Sequence, residues 1–100
     1  MSGDAPVQFL IHREGDDVGV AIASIAPGQV RGRYLHTGEE LSAEVAEAVE
    51  LGHKFALREL AEGADVTKDG VRIGRTTAAV PLGAHVHVHN LTSILWPRQH

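Results

Sequence analysis

Turn signals recur along this chain roughly every 8–12 residues, the spacing of a compact fold built from short strands. Val7–Ile11 is β-prone and reads as a first strand, and Arg13–Asp17 as a polar turn with Gly15 and two acidic residues. Val18, Val20 and Ile22 then alternate with Gly19, Ala21 and Ala23. One face of that strand carries only tiny side chains, so a neighbour can pack close against it. Ala26-Pro27-Gly28-Gln29 is the next turn. Val30–His36 follows as a strand with Arg31 and Arg33 in alternate positions, and Thr37-Gly38-Glu39-Glu40 ends it.

Ser42–Glu50 favours a helix by composition. Ser42 can cap it, Glu44 sits in the first turn, and Val45, Ala46, Ala48 and Val49 form a stripe. At about two turns it is short enough for tertiary context to override that preference. Arg58–Glu62 suggests one further helical turn, closed by Gly63. Lys68-Asp69-Gly70 between β-prone flanks is a hairpin signal leading into Val71 and Ile73. Thr76–Pro81 is a short extended piece, and Leu91–His100 a tail in which Trp96 can anchor.

Near the C-terminus stands Ala84-His85-Val86-His87-Val88-His89-Asn90. In an extended strand His85, His87 and His89 share one face, and Val86 and Val88 pack the other. Neutral imidazole is a metal ligand and an acid/base group near neutral pH. The plainer alternative is a solvated polar face. Upstream, Gly52-His53-Lys54 supplies a second titratable pair. A lysine there can hold a carboxylate or stabilise an enolate-like anion; a surface lysine is the alternative. Asp16 and Asp17 can serve as a base or cation site, or simply as turn formers.

The 100 residues form one domain with a modest core, 43% apolar and 22% charged. No run approaches the roughly 18 apolar residues of a membrane span. There is no cysteine, which removes disulfides and thiolate metal sites, and the expected compartment is the cytoplasm. A net charge of −4 without a basic block, together with only four aromatic residues, argues against a nucleic-acid partner. No serine or cysteine nucleophile motif or phosphate loop is present.

Six segments occur in one order: Phe9-Leu10-Ile11-His12, Gly15-Asp16-Asp17-Val18-Gly19-Val20-Ala21, Gly52-His53-Lys54-Phe55-Ala56-Leu57, Val66-Thr67-Lys68-Asp69-Gly70, Ile73-Gly74 and His87-Val88-His89-Asn90. The set resembles the SAF domain at the head of the altronate and galactarate dehydratases. The free-standing length looks most like the small subunit of two-subunit lyases of the (R)-sulfolactate sulfo-lyase type. The resemblance implies a mainly β, β-clip (SAF-like) fold of short strands with one or two short helical turns. It spans residues 8–96, after a flexible lead-in at 1–7 and before a tail at 97–100.

The resemblance also implies a lyase that removes water or sulfite from a hydroxylated or sulfonated acid to give a 2-keto acid. The active partner would be a large dehydratase-like subunit. That subunit would hold most of a divalent metal site, with iron or magnesium as the ion, and homo-oligomerisation is compatible with the arrangement. Carried over residue by residue, the catalytic set is His53, Lys54, His87 and His89. Asn90, Asp16 and Asp17 would bind substrate, and His87 and His89 would offer metal ligands. His85 lies just outside the family motif and reads as a surface residue. Asp69 stands where the family commonly has tyrosine, Val49-Glu50 where it tends to place isoleucine-proline, and Leu95 where a basic residue usually precedes the tryptophan. Two rival readings are a non-catalytic β-clip module that binds an acidic sugar or a protein, and a stand-alone metal binder using His85, His87 and His89.

Overall fold

The computed structural model describes residues 6–93. The expectations for Trp96, for most of the lead-in and for the tail at 97–100 fall outside the described residues. Among the described residues nine strands follow one another: β1 (Val7–Ile11), β2 (Val18–Ala21), β3 (Gly28–Tyr34), β4 (Glu40–Val45), β5 (Lys54–Ala56), β6 (Asp65–Lys68), β7 (Val71–Thr76), β8 (His85–Val86) and β9 (Leu91–Ser93). Six form one sheet in the order β4-β3-β1-β2-β5-β8, and three form a second in the order β6-β7-β9. Among the described residues only the β1–β3 pair is parallel. The fold is mainly β, as expected of a small β-clip domain.

β2 and β5 divide two apolar clusters. The small face of β2 is covered as its sequence invites: a Cβ on Gly19 would lie 2.9 Å from the Phe9 ring and 3.2 Å from that of Phe55. Those rings meet edge to face, with centroids 4.9 Å apart. Together with Ile11, Ala21, Ile25, Val30, Val45 and Val49 they form the first cluster. Val18 and Ala56 point the other way and join Leu60, Val66, Val80, Ala84 and Val86 in the second. Alternation along two short strands thus supplies both cores.

Three expectations give way to pairing. Ser42–Glu50 is not helical; β4 pairs along its whole length with β3, from Gly28–Val45 to Arg33–Glu40. A continuous ladder, with Gln29 donating to Glu44 and both Arg31 and Arg33 to Glu40, outweighs the propensity of a helix this short. Arg58–Glu62 forms no helical turn either, because Leu60 makes a bridge with Val80. The described residues therefore contain none of the short helical turns that the sequence suggests. Leu91–Ser93 is not tail but a strand paired to β7.

The hairpin signal holds. β6 and β7 are joined through Asp69 and Gly70, with φ of 56° and 73°, the left-handed pair that a two-residue turn of matching twist requires.

Candidate functional site

The histidine segment is strand only at its start. His85 and Val86 pair with Phe55 and Lys54. The chain then bends at His87 and turns through Val88, His89 and Asn90. Val86 is buried, as alternation predicts, whereas Val88 is 81% exposed and packs no core. A single-faced strand of three histidines is therefore replaced by a two-residue strand and a turn. Asn90 builds that turn. Its Oδ1 accepts the His87 N–H at 2.9 Å, its Nδ2 donates to the His85 carbonyl at 2.8 Å, and its own N–H donates to the His87 carbonyl at 3.0 Å. Those bonds stop the strand and aim His87 back at its neighbours.

His53 reaches the same place from the start of β5. Gly52 turns the chain with a φ of 85°, a conformation open to glycine, and the His53 N–H closes the turn on the Glu50 carbonyl at 2.9 Å. The His53 Nδ1 lies 2.8 Å from the His85 Nε2, so one ring donates and the other accepts. The His53 and His87 rings stack with centroids 4.5 Å apart, His53 and His85 at 5.0 Å, and His85 and His87 at 5.4 Å. His89, in the exposed turn, lies 5.4 Å from His85 and tilted to it. One ligand nitrogen from each of His53, His85 and His87 falls within 4.8 Å of the other two.

The family motif leaves His85 out, and only the metal-binder alternative keeps it, yet it stands in the middle of this cluster. The usable signal is the alternation of His85 with His87, which extends the pattern two residues ahead of the family motif. Glu47, which no sequence motif picks out, accepts the His85 N–H at 2.9 Å.

Two of the rings, His85 and His87, are biased toward the neutral form. Burial pushes the His85 pKa down, and His53, His87 and His89 add to this while Glu47 opposes it. Burial also lowers His87, followed by His53, Lys54 and His89. The register sets Lys54 opposite Val20 and Val86, on the sheet face away from Phe55 and His85. Its amine is pushed down by partial burial and then by Lys68.

Asp16 and Asp17 are not brought into the ring cluster by any contact among the described residues. Both are buried, and their carboxylates are engaged by the chain itself. Asp16 accepts the N–H groups of Arg13, Asp69 and Gly70 at 2.7–3.1 Å. Asp17 accepts the Thr67 N–H at 2.8 Å and the Arg58 Nε–H at 2.7 Å. They tie the β1–β2 loop to the β6–β7 hairpin.

The model of the altronate/galactarate dehydratase SAF domain matches residues 7–94. Among curated proteins, the (2R)-sulfolactate sulfo-lyase subunit alpha of Chromohalobacter salexigens is 38% identical over 92 residues, covering 90% of this chain and 98% of that protein. The altronate dehydratase of Escherichia coli is 39% identical over 84 residues, but the match covers only 16% of that protein. The altronate dehydratase of Bacillus subtilis is 34% identical over 80 residues, again 15% of its length. In ordered motifs, all-strand architecture and near end-to-end match, this chain belongs to the SAF-domain family of the altronate and galactarate dehydratases.

Proposed function

We propose that this chain is the small subunit of a lyase that eliminates water or sulfite from a hydroxy or sulfo acid to give a 2-keto acid. The observation that carries this reading is the match over 98% of a sulfo-lyase subunit alpha, against about a sixth of the dehydratases. Such a chain works with a separate, larger dehydratase-like subunit, and the reading keeps the pair in the cytoplasm.

The elimination removes a proton alpha to a carboxylate, steadies the resulting enolate, and assists a leaving hydroxyl or sulfite. His87, biased toward the neutral form, suits the first of these steps, because a neutral imidazole accepts the proton and can return it to the leaving group. His53, His87 and His89 are the acid/base candidates, with His85 sharing the His53 proton across 2.8 Å. Lys54 supplies positive charge for a carboxylate or sulfonate. Asn90 acts through the backbone of the histidine turn rather than on the substrate, and Asp16 and Asp17 through the scaffold. A divalent metal in the complete enzyme, iron or magnesium held mainly by the large subunit, would add Lewis-acid stabilisation of the enolate.

The test is to purify the tagged chain from its native cell, identify the larger chain that comes with it, and assay the pair against hydroxy and sulfo acids. The isolated chain should be inactive and the pair active. His87→Ala or His89→Ala in the pair should lower kcat by about 10²-fold or more while assembly persists. Wild-type turnover in both variants removes the catalytic role. Absence of any larger partner favours a binding module instead.

A further inference from the structure

We infer that His53, His85 and His87 form a site for one first-row transition-metal ion on this chain, with His89 outside the ligand set. The inference goes beyond the lyase reading and does not depend on turnover; with the ion bound, His53 and His87 serve as ligands and the proton exchange falls to His89.

Three observations carry it. First, one nitrogen from each of the three rings already lies within 4.8 Å of the other two. Metal–imidazole bonds of about 2.0–2.1 Å set ligand nitrogens roughly 3.3 Å apart around a tetrahedral ion. The His53–His85 pair, at 2.8 Å, would open by about half an ångström, and the His87 ring, now stacked on the other two, would turn its nitrogen inward by up to about 1.5 Å. An ion would take the place of the proton between His53 and His85. The ring that now donates would carry its hydrogen on its other nitrogen, so no proton need be lost.

Second, the ligands are held from outside. Glu47 accepts the His85 N–H, and Asn90 bonds the backbone of both His85 and His87. Gly52 fixes the turn that presents His53. Such supports limit the ordering that binding must impose.

Third, the donor set selects the ion. Three imidazoles suit zinc, iron, cobalt, nickel or copper, whereas magnesium and calcium take oxygen ligands, so magnesium does not fit here. Three protein ligands leave a fourth position open at a partly exposed edge of the sheet, as in metal sites that bind a water or a substrate oxygen. His89 sits 5.4 Å from His85 by ring centroid and does not join the three nitrogens.

Cobalt(II) and zinc(II) titration of the full chain, stripped with chelator, tests the site by calorimetry and by the visible spectrum of cobalt. The expected result is one ion per chain. His53→Gln, His85→Gln and His87→Gln should each weaken binding at least about tenfold, and His89→Gln less than about threefold. Circular dichroism checks that each variant is folded. For any that is not, paramagnetic broadening of the three ring resonances by cobalt in the wild-type chain gives the same answer. No saturable binding at about 100 μM metal, or binding that survives His53→Gln and His85→Gln, overturns the site. The lyase reading stands or falls separately, on the activity of the two-chain complex.

Discussion

The side-chain amide of Asn90 donates to the carbonyl oxygen of His85 at 2.8 Å, across a turn whose other face is the imidazole cluster. The same amide accepts from the His87 N–H, and the residue is only 9% exposed. Asn90→Ala removes this partner from a part-buried carbonyl and a part-buried N–H. It should cost about 1–3 kcal/mol, lowering the thermal midpoint by roughly 4 °C or more. The ring contacts should loosen with it. Side-chain resonances of His53, His85 and His87 should shift together, while those of His12 and His36, far along the chain, stay put. A variant with unchanged midpoint and unchanged ring signals would deny Asn90 its positioning role.

Asp16 separates a scaffold role from a substrate role. Its carboxylate gathers three backbone N–H groups, two of them from the Asp69–Gly70 turn. Asp16→Ala should destabilise the chain by about 2 kcal/mol, a fall of about 10 °C in the midpoint. Activity of the assembled enzyme should fall only with the folded fraction, leaving KM as it was. A raised KM in well-folded protein would return Asp16 to the substrate.

Edge strand β4 gives a pH dependence whose sign is fixed. The Glu40 carboxyl is held below its usual range, first by its hydrogen bond to Arg33 and then by that to Arg31. The unfolded chain therefore takes up a proton more readily than the folded one. The stabilisation is complete above the ordinary value near 4.5 and fades as pH falls through the lower folded value. The midpoint gap between wild type and Glu40→Gln should thus be widest near neutral pH and shrink in acid. Salt should also narrow it, because the pair is solvent-exposed. A gap that widens in acid would contradict this.

Much of the fold is legible in the sequence because short strands announce themselves through alternation and turns. The tiny face of Gly19 and Ala21 calls for a close neighbour, and Phe9 and Phe55 provide it. Asp69-Gly70 names its own turn. Ser42–Glu50 misleads because local propensity cannot see that Arg31 and Arg33 wait across a ladder for Glu40. At the site, Gly52-His53-Lys54 and the histidine segment read together as family motifs, and the rings of His53 and His87 do stack. Alternation overreaches at Val88, since it carries no sign of where a strand ends. The stop comes from Asn90, whose amide bonds to residues three and five positions earlier. His85 is read on its strand face but not with His53, because that contact joins residues thirty-two positions apart.

Val88 tests where the larger chain would sit. A single exposed aliphatic residue is ordinary. This one is 81% exposed on the turn between His87 and His89, and the turn's own amide bonds hold it there without any core contact. If the histidine edge faces the large subunit, Val88 becomes buried on assembly. Val88→Glu should then leave the midpoint of the isolated chain within about 2 °C, because nothing in its fold rests on that side chain. Affinity for the large subunit should fall about tenfold or more, the cost of seating a charge in an apolar contact. Val88→Leu, which keeps the surface apolar, should assemble like wild type. Normal assembly of the glutamate variant would move the interface away from the histidine turn.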